Sequence, residues 1–185
     1  SLIKLSLIKK IVKICSTRAI IIAGNENIKS LNQYCRIVEK ILKKGINRNS
    51  KLFSFGGGTI GDLAGFVSST LLRGIKHIMI PTTLLAMVDS SIGGKNGINS
   101  IIGKNLIGNF QLPEAIMINT NFLKSLPKRE ISCGFSEVIK YAFINNKKLK
   151  DIMVNNTVYE IKKKFLKEII IESILTKLKY TKDFR

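Results

Sequence analysis

The sequence predicts an α/β fold with a mostly parallel sheet, followed by the start of an all-helical region. Two observations predict it. Short apolar runs of strand length alternate with stretches of helical periodicity up to about residue 121, as in a parallel sheet with crossover helices. After that point apolar residues recur only with the period of 3.6. We therefore divide the chain into residues 1–121 and 122–185.

Each element of the first part has its own pattern. The β-branched run 19–23 predicts a buried parallel strand. Residues 31–44 have helical spacing, and Gly45 closes that helix. A strand at 52–55 is followed by a glycine turn and a helix through Leu72. Further strands are predicted at 77–80 and 115–118, which completes a Rossmann-like alternation.

Composition bounds the possible partners. The formal charge is +19, but the lysines are scattered and no Arg-rich tract is present, so we expect anionic small ligands rather than nucleic acid. No uncharged apolar run is long enough to span a membrane. The basic amphipathic segment 2–14 is more typical of a surface helix than of a targeting helix. The chain starts with Ser1 and ends within a helical pattern, so we expect it to be cut at both ends.

The three cysteines, Cys15, Cys35 and Cys133, form no C-x-x-C pair. They predict buried small apolar residues in a reducing compartment, hence a cytoplasmic protein, rather than a disulfide framework or a zinc knuckle.

The turn Gly56-Gly57-Gly58-Thr59-Ile60-Gly61-Asp62 stands between a strand and a helix. Glycine allows a ligand to approach the backbone closely, and the helix N-terminus offers N–H groups to an anion. The G-x-G-x-x-G spacing is weak by itself, because such a segment is often only a turn. The acidic residue of an ordinary Rossmann site, expected about twenty positions on, is missing, and Asp62 lies on the turn instead. A plain dehydrogenase therefore fits poorly.

The glycine turn is followed by Leu72-Arg73-Gly74, Pro81-Thr82-Thr83, Val88-Asp89-Ser90-Ser91-Ile92-Gly93-Gly94-Lys95 and Gly103-Lys104-Asn105. This ordered series, from about residue 26 to about residue 144, resembles the 3-dehydroquinate synthase family of sugar-phosphate cyclases. The resemblance implies conversion of 3-deoxy-D-arabino-heptulosonate 7-phosphate to 3-dehydroquinate and phosphate in the shikimate pathway. It also implies NAD, a Zn²⁺ or Co²⁺ ion, a homodimer, and an isolated 185-residue chain that is inactive.

By resemblance, residues 1–121 form the NAD-binding domain and residues 122–185 begin the metal- and substrate-binding domain. The implied NAD-binding residues are Glu26, Lys29, Gly58, Thr59, Ile60, Gly61, Asp62, Thr82, Thr83, Lys95, Lys104, Phe122, Leu123, Lys124 and Ser125. Two alternatives remain open. Glu26 and Lys29 would also fit a solvated loop pair, and the two threonines would also fit a helix cap.

The implied catalytic and substrate-binding residues are Asp89, Lys95, Asn105, Lys140 and Arg73, with Arg73 reaching across a dimer interface. Glu137 is implied as the carboxylate ligand of the metal, and the alternative is an exposed Glu137–Lys140 pair on a helix. His77 is expected to be a strand residue rather than a ligand, with two metal-binding histidines downstream of this chain. Lys177 matches one of the family's lysines only loosely. Rival functions are another sugar-phosphate cyclase, a metal-dependent polyol dehydrogenase, or a non-catalytic basic fragment.

Overall fold

The computed structural model describes residues 6, 9–10, 12–13 and 17–181. Cys15 and most of the predicted amphipathic segment 2–14 lie outside the described residues. The first part contains helix α1 (Leu31–Leu42), strand β1 (Lys51–Gly56), helix α2 (Gly58–Thr70) and strand β2 (Lys76–Pro81). Then follow a π-helical turn (Ala86–Ser90), strands β3 (Lys95–Ile98), β4 (Ile107–Phe110) and β5 (Ala115–Ile116), and a 3₁₀ helix (Thr120–Ser125).

The remaining described chain is helical. Helices α3 (Lys128–Asn145), α4 (Lys147–Asn155) and α5 (Val158–Glu160) are followed by a π-helical segment (Ile161–Phe165) and helix α6 (Leu166–Thr181). The predicted change from alternating strands and helices to helices alone is confirmed over residues 120–181.

The parallel sheet has the strand order β1-β2-β5, and Gly56 of β1 is paired with Pro81 of β2. Both strands therefore end at the same edge, which is where ligands bind in open α/β sheets.

Strands β3 and β4 form an antiparallel hairpin that we did not predict. Gly97 faces Gly108 across it, and the residue types of these four-residue strands do not alternate between apolar and polar, so the sequence did not indicate the hairpin.

The predicted strand at 19–23 is wrong, because this segment forms no strand in the structure. Ile21 is 73% exposed, whereas Ile22 packs against the apolar cluster beneath α1 and α2. A strand needs a neighbour for its N–H and C=O groups, and this segment pairs with none of the strands in the described residues. The β-branched composition predicted a strand, but it could not indicate whether a neighbouring strand is present to pair with it.

Two further boundaries differ from the prediction. Helix α2 ends at Thr70 rather than Leu72, because Leu72 and Arg73 have positive φ angles of 52° and 66° that cannot continue a right-handed helix. The strand predicted at 115–118 pairs only over Ala115–Ile116. The other predicted elements, at 31–44, 52–55 and 77–80, are confirmed within two residues of their ends.

Two apolar clusters stabilise the fold. One lies between α1, α2 and the sheet and includes Leu63 and Val67. The other lies among the C-terminal helices and also includes Leu84 and Met87, which follow β2. A Cβ atom on Gly134 would lie 2.5 Å from the Leu84 Cβ, so the glycine allows α3 to pack closely against this segment. The second cluster thereby fixes α3 beside the carboxyl end of the sheet.

The prediction of buried cysteines is wrong for Cys35 and Cys133, which are both exposed free thiols. On α1 the buried side is formed by Ile37 with Tyr34 and Val38 beside it, and Cys35 faces away from that side. No helix in the described part of the chain is long and apolar enough to cross a membrane.

Candidate functional site

The glycine turn opens helix α2 at the carboxyl edge of the sheet. Gly57 is the N-cap and provides no side-chain hydrogen bond, so the first N–H groups of α2 lack a side-chain cap. A Cβ atom on Gly58 would lie 2.8 Å from Ser90 Oγ, so any larger residue would fill this space. Ser90 Oγ is buried and has no hydrogen-bond partner within the described residues. An uncapped helix N-terminus beside an unpaired hydroxyl suits an anionic group.

The two threonines after β2 lie beside this turn, because Thr82 N–H donates to Gly56 O at 2.8 Å. Thr83 Oγ1 accepts a hydrogen bond from Ala86 N–H at 3.2 Å. The capping alternative is therefore realised for the Thr83 hydroxyl, whereas Thr82 is buried at 5% exposure.

Lys29 connects the loop after residue 24 to the glycine turn. Its side chain is buried, and its ammonium donates to Asp62 Oδ2 at 2.8 Å and to Asn105 Oδ1. Burial raises the pKa of the Asp62 carboxyl, although the Lys29 hydrogen bond lowers it. The solvated-loop alternative is thus wrong for Lys29, whose charge is paired inside the fold.

Glu26 takes part in the same cluster. It accepts from Thr59 Oγ1 at 3.3 Å and from Asn99 Nδ2 at 3.0 Å. Partial burial raises the pKa of Glu26, but the Asn99 hydrogen bond and nearby Lys29 together hold it below its usual value. Three segments distant in sequence therefore meet here, at residues 26–29, 59–62 and 99–105.

Asn99 is a residue that the sequence analysis missed. Its Oδ1 accepts from Asn105 N–H at 2.9 Å, and its backbone N–H donates to Lys29 O at 2.6 Å. Nothing in the local pattern distinguished it from the other asparagines, because its importance comes from contacts with segments far away in sequence.

A second polar cluster surrounds Asp89, which lies in the π-helical turn Ala86–Ser90. Tyr141 O–H donates to Asp89 Oδ1 at 2.6 Å, and Lys177 Nζ contacts the same oxygen at 2.8 Å. Burial raises the pKa of Asp89, but the hydrogen bonds from Lys177 and Tyr141 outweigh it and leave the pKa below its usual value. Burial and the Asp89 contact raise the pKa of Tyr141. Asp89 is therefore ionised and Tyr141 neutral near pH 7.

The two clusters are neighbours, because the charge of Asp89 contributes to raising the pKa of Asp62. Lys177, which the sequence matched only loosely, is fixed here by its contacts with Asp89 Oδ1 and with the Asp89 carbonyl oxygen. The segment 86–90 and helices α3 and α6 together bring these side chains to one place.

Glu137 and Lys140 form an ion pair on α3. Glu137 Oε2 is buried and has no hydrogen-bond partner among the described residues, so the ion pair with Lys140 is its only polar contact. The ammonium of Lys140 also lies 4.9 Å from the centre of the Tyr141 ring. A carboxylate is a ligand that zinc accepts, so Glu137 could hold a metal ion, although its Oε2 is paired with the Lys140 ammonium in this structure. However, residues 17–181 contain no group of three His, Cys, Asp or Glu side chains that could hold one.

The predicted substrate-binding residue Arg73 lies apart from these two polar clusters. Arg73 precedes β2 by three residues, whereas the glycine turn lies beyond the other end of that strand. At about 3.3 Å per residue, β2 alone separates them by about 16 Å. Arg73 lines an open groove with Arg48 and Lys76. The predicted strand role of His77 is confirmed, since it is buried and pairs with Ser54 Oγ at 2.8 Å.

The other predicted ligand-binding residues are surface lysines or core residues. Lys95 and Lys104 are exposed, and Lys95 Nζ lies 6.0 Å from the Phe110 ring centre. Phe122 and Leu123 are buried in the helical core cluster, so their side chains face the core. Lys124 is exposed, and Ser125 is half-buried. A cofactor role for residues 122–125 stays a prediction.

The fold is that of the sugar-phosphate cyclases. The structure superposes with a TM-score of 0.82 and 28% identity on 2-deoxy-scyllo-inosose synthase complexed with carbaglucose-6-phosphate, NAD⁺ and Co²⁺. That match covers 89% of this chain and 46% of that one. The 2-epi-5-epi-valiolone synthase of Streptomyces hygroscopicus, with NAD⁺ and Zn²⁺ bound, shares the fold at a TM-score of 0.79 and 24% identity, over 85% of this chain and 45% of that one.

Sequence comparison defines the family within this class. The family described as 3-dehydroquinate synthase N-terminal matches residues 19–133. The chain is 48% identical over 157 residues to 3-dehydroquinate synthase of Pelagibacter ubique, covering 84% of this chain and 42% of that protein. It is 46% identical over 173 residues to 3-dehydroquinate synthase of Dictyoglomus thermophilum, covering 92% and 49%. This chain belongs to the 3-dehydroquinate synthase family, and it spans about half the length of the curated relatives it matches.

Proposed function

We propose that the complete gene product is a 3-dehydroquinate synthase, which converts 3-deoxy-D-arabino-heptulosonate 7-phosphate to 3-dehydroquinate and phosphate. The observation that carries the proposal is the uncapped N-terminus of α2 beside Ser90, found in a chain of this family. This arrangement fits the pyrophosphate of NAD, the cofactor named for the structurally similar cyclase. When bound, NAD supplies a temporary hydride acceptor, which makes the proton beside the new ketone acidic.

In this proposal the cluster around Lys29 binds the cofactor and the edge of the substrate. Thr59 lies in the first turn of α2 and donates to Glu26 of the turn Glu26–Ile28, so both side chains can meet the cofactor's sugar. Asn105 is held by Lys29 and presents its amide to the substrate. Because Lys29 is already paired with Asp62, it acts by fixing these side chains rather than as a free cation.

Asp89 is proposed to bind a substrate hydroxyl. Both hydrogen bonds from Tyr141 and Lys177 end on Oδ1, which leaves Oδ2 as an acceptor. Lys140, whose side chain is 49% exposed, is proposed to meet an anionic group of the substrate together with Lys95. A charge-assisted hydrogen bond of this kind contributes about 1.5–3 kcal/mol.

The metal is proposed to be Zn²⁺ or Co²⁺, with Glu137 as one protein ligand. Catalytic zinc usually takes three protein ligands, so the others must come from outside the described residues. For that reason we propose that the isolated 185-residue chain does not turn over substrate.

We further propose a boundary near residue 121 between an NAD-binding domain and a helical domain. Arg73 is exposed before the first residue of β2, at the end of the strand opposite the glycine turn, and we propose that it serves the partner's site in a homodimer. We also propose that the protein is cytoplasmic.

The test is release of inorganic phosphate by the complete gene product, supplied with the heptulosonate phosphate, NAD and Zn²⁺ or Co²⁺. We expect phosphate and 3-dehydroquinate in equal amounts and no net NADH, because the hydride is returned. Net NADH from unphosphorylated polyols, without phosphate release, would instead identify a polyol dehydrogenase. A Gly58→Val variant is the control, since its side chain would fill the space beside Ser90 and should abolish turnover.

A further inference from the structure

Loop 100–105 is held mainly by contacts at its two ends. Ile101 and Ile102 at its tip are 106% and 89% exposed, so they contribute almost no packing. Inside the loop, Ser100 N–H donates to Gly103 O at 2.9 Å and Ile102 N–H donates to Ser100 Oγ at 3.2 Å. A segment with so few buried contacts opens easily unless its ends are tied down.

Asn99 provides that tie at both ends of the loop. Its side-chain oxygen accepts from Asn105 N–H at 2.9 Å, and its side-chain amide donates to Glu26 Oε1 at 3.0 Å. Its backbone N–H donates to Lys29 O at 2.6 Å. The side chain therefore joins the far end of the loop to the 3₁₀ turn Glu26–Ile28.

Asn105 depends on this support because its φ angle is +56°, in the left-handed region. Asparagine visits this region at a cost, and it stays there when surrounding bonds compensate. Here the compensating bonds are the backbone donation to Asn99 and the side-chain contact with Lys29. Both bonds connect Asn105 to the Glu26–Lys29 turn, the first through Asn99 and the second directly, and neither involves the exposed loop tip.

We propose that Asn99 is a positioning residue, which holds Asn105 in its left-handed conformation and couples loop 100–105 to the Glu26–Lys29 turn. Through this coupling, a ligand that contacts the Glu26–Lys29 turn stabilises the loop that presents Asn105, and the reverse holds with the same free energy. The identity of the two ligands, NAD and the sugar phosphate, rests on the proposed function. The coupling itself rests only on the contacts above.

Two variants distinguish the side-chain bond to Glu26 from the pair of side-chain bonds together. Asn99→Ala loses both the donor to Glu26 and the acceptor for Asn105. Asn99→Asp retains the acceptor but places a carboxylate against Glu26, so it should release the turn while retaining most of the contact with Asn105. Asn32→Ala is the matched control, because Asn32 is exposed on α1.

The first experiment measures amide hydrogen exchange of peptides covering residues 99–106 in the 185-residue chain without ligand. We expect exchange at least about tenfold faster in Asn99→Ala, corresponding to about 1.4 kcal/mol of lost local stability, with a smaller change in Asn99→Asp. Asn32→Ala should match the wild type. Unchanged exchange in a folded Asn99→Ala chain overturns the proposal. If that variant fails to fold, unchanged exchange in Asn99→Asp overturns it equally.

The second experiment tests the hydrogen bond between Asn99 and Glu26 by measuring the pKa of Glu26, which a general loss of stability would not change. The Asn99 hydrogen bond is one cause of the lowered pKa of Glu26. In a carboxyl-labelled NMR titration the Glu26 pKa should therefore rise in Asn99→Ala and stay unchanged in Asn32→Ala. A Glu26 pKa that is the same in all three proteins contradicts the link.

A third measurement adds NAD and separates the two proposals. In the wild type NAD should slow exchange at residues 99–106. In Asn99→Ala it should still bind, but with a protection at this loop reduced severalfold. Failure of the wild type to bind NAD would count against the proposed function, while the ligand-free exchange would still decide the role of Asn99. Equal protection of the loop in both proteins would overturn the coupling.

Discussion

Replacement of Lys29 by methionine tests the most buried charge of the candidate site. Lys29 is 3% exposed and makes an ion pair of 2.8 Å with Asp62 as well as a contact with Asn105. Methionine occupies similar volume but leaves the Asp62 carboxylate without its cation. Removing one partner of a buried pair costs about 3–5 kcal/mol. Because the Asp62 side chain is 24% exposed and partly hydrated, we expect the lower value of about 2–3 kcal/mol.

The assay is urea unfolding of the 185-residue chain at pH 7, with Lys162→Met as the control, since Lys162 is an exposed lysine on the π-helical segment. The control should change the free energy of unfolding by less than about 0.5 kcal/mol. Adding Asp62→Asn to Lys29→Met neutralises the orphaned carboxylate and should restore about 1–2 kcal/mol. If the double variant is no more stable than Lys29→Met alone, the ion pair does not account for the loss and the reasoning is refuted.

Four further predictions concern the remaining groups. His77 is buried, and desolvation lowers its pKa to about 4 in the folded chain. As the pH falls from 6.5 towards 4, His77 is therefore protonated in the unfolded chain before it is protonated in the folded chain, which favours unfolding. The wild type should therefore lose about 2–3 kcal/mol more than His77→Gln between pH 7 and pH 4.5 in urea titrations, and equal losses would contradict this. Tyr141→Phe removes the 2.6 Å hydrogen bond that helps to lower the pKa of Asp89, so the acidic limb of the activity profile of the complete gene product should move to higher pH. An unmoved limb would exclude Asp89 as the group observed. The complete gene product should retain one metal ion per subunit after gel filtration and lose it on Glu137→Ala, whereas tight binding of one Zn²⁺ by the 185-residue chain would refute our assignment of the missing ligands. Mixing inactive Arg73→Ala and Lys140→Ala subunits should recover part of the activity, because one site of a mixed dimer then holds both residues; no recovery in proven mixed dimers would show that Arg73 does not act across the interface.

The sequence by itself determined the elements whose signals are local. Glycine spacing after an apolar run placed the turn and the start of α2, and the change of period near residue 121 placed the helical region. The ordered motifs likewise identified the family, because they depend on residue order and not on contacts. The run 19–23 shows the limit of such local signals. Its composition favoured a strand, but a strand forms only beside a neighbouring strand, which composition does not reveal.

Only the tertiary structure decided which side chains meet. Lys29 and Asp62 are 33 residues apart, and Asp89 and Lys177 are 88 apart, so no local periodicity predicts their pairing. The close approach of α3 at Gly134, the positive φ of Asn105 and the joining role of Asn99 all arise from packing between distant segments. The physical reason is that periodicity specifies which face of an element is buried, whereas the partner of a buried polar group depends on how several elements pack together.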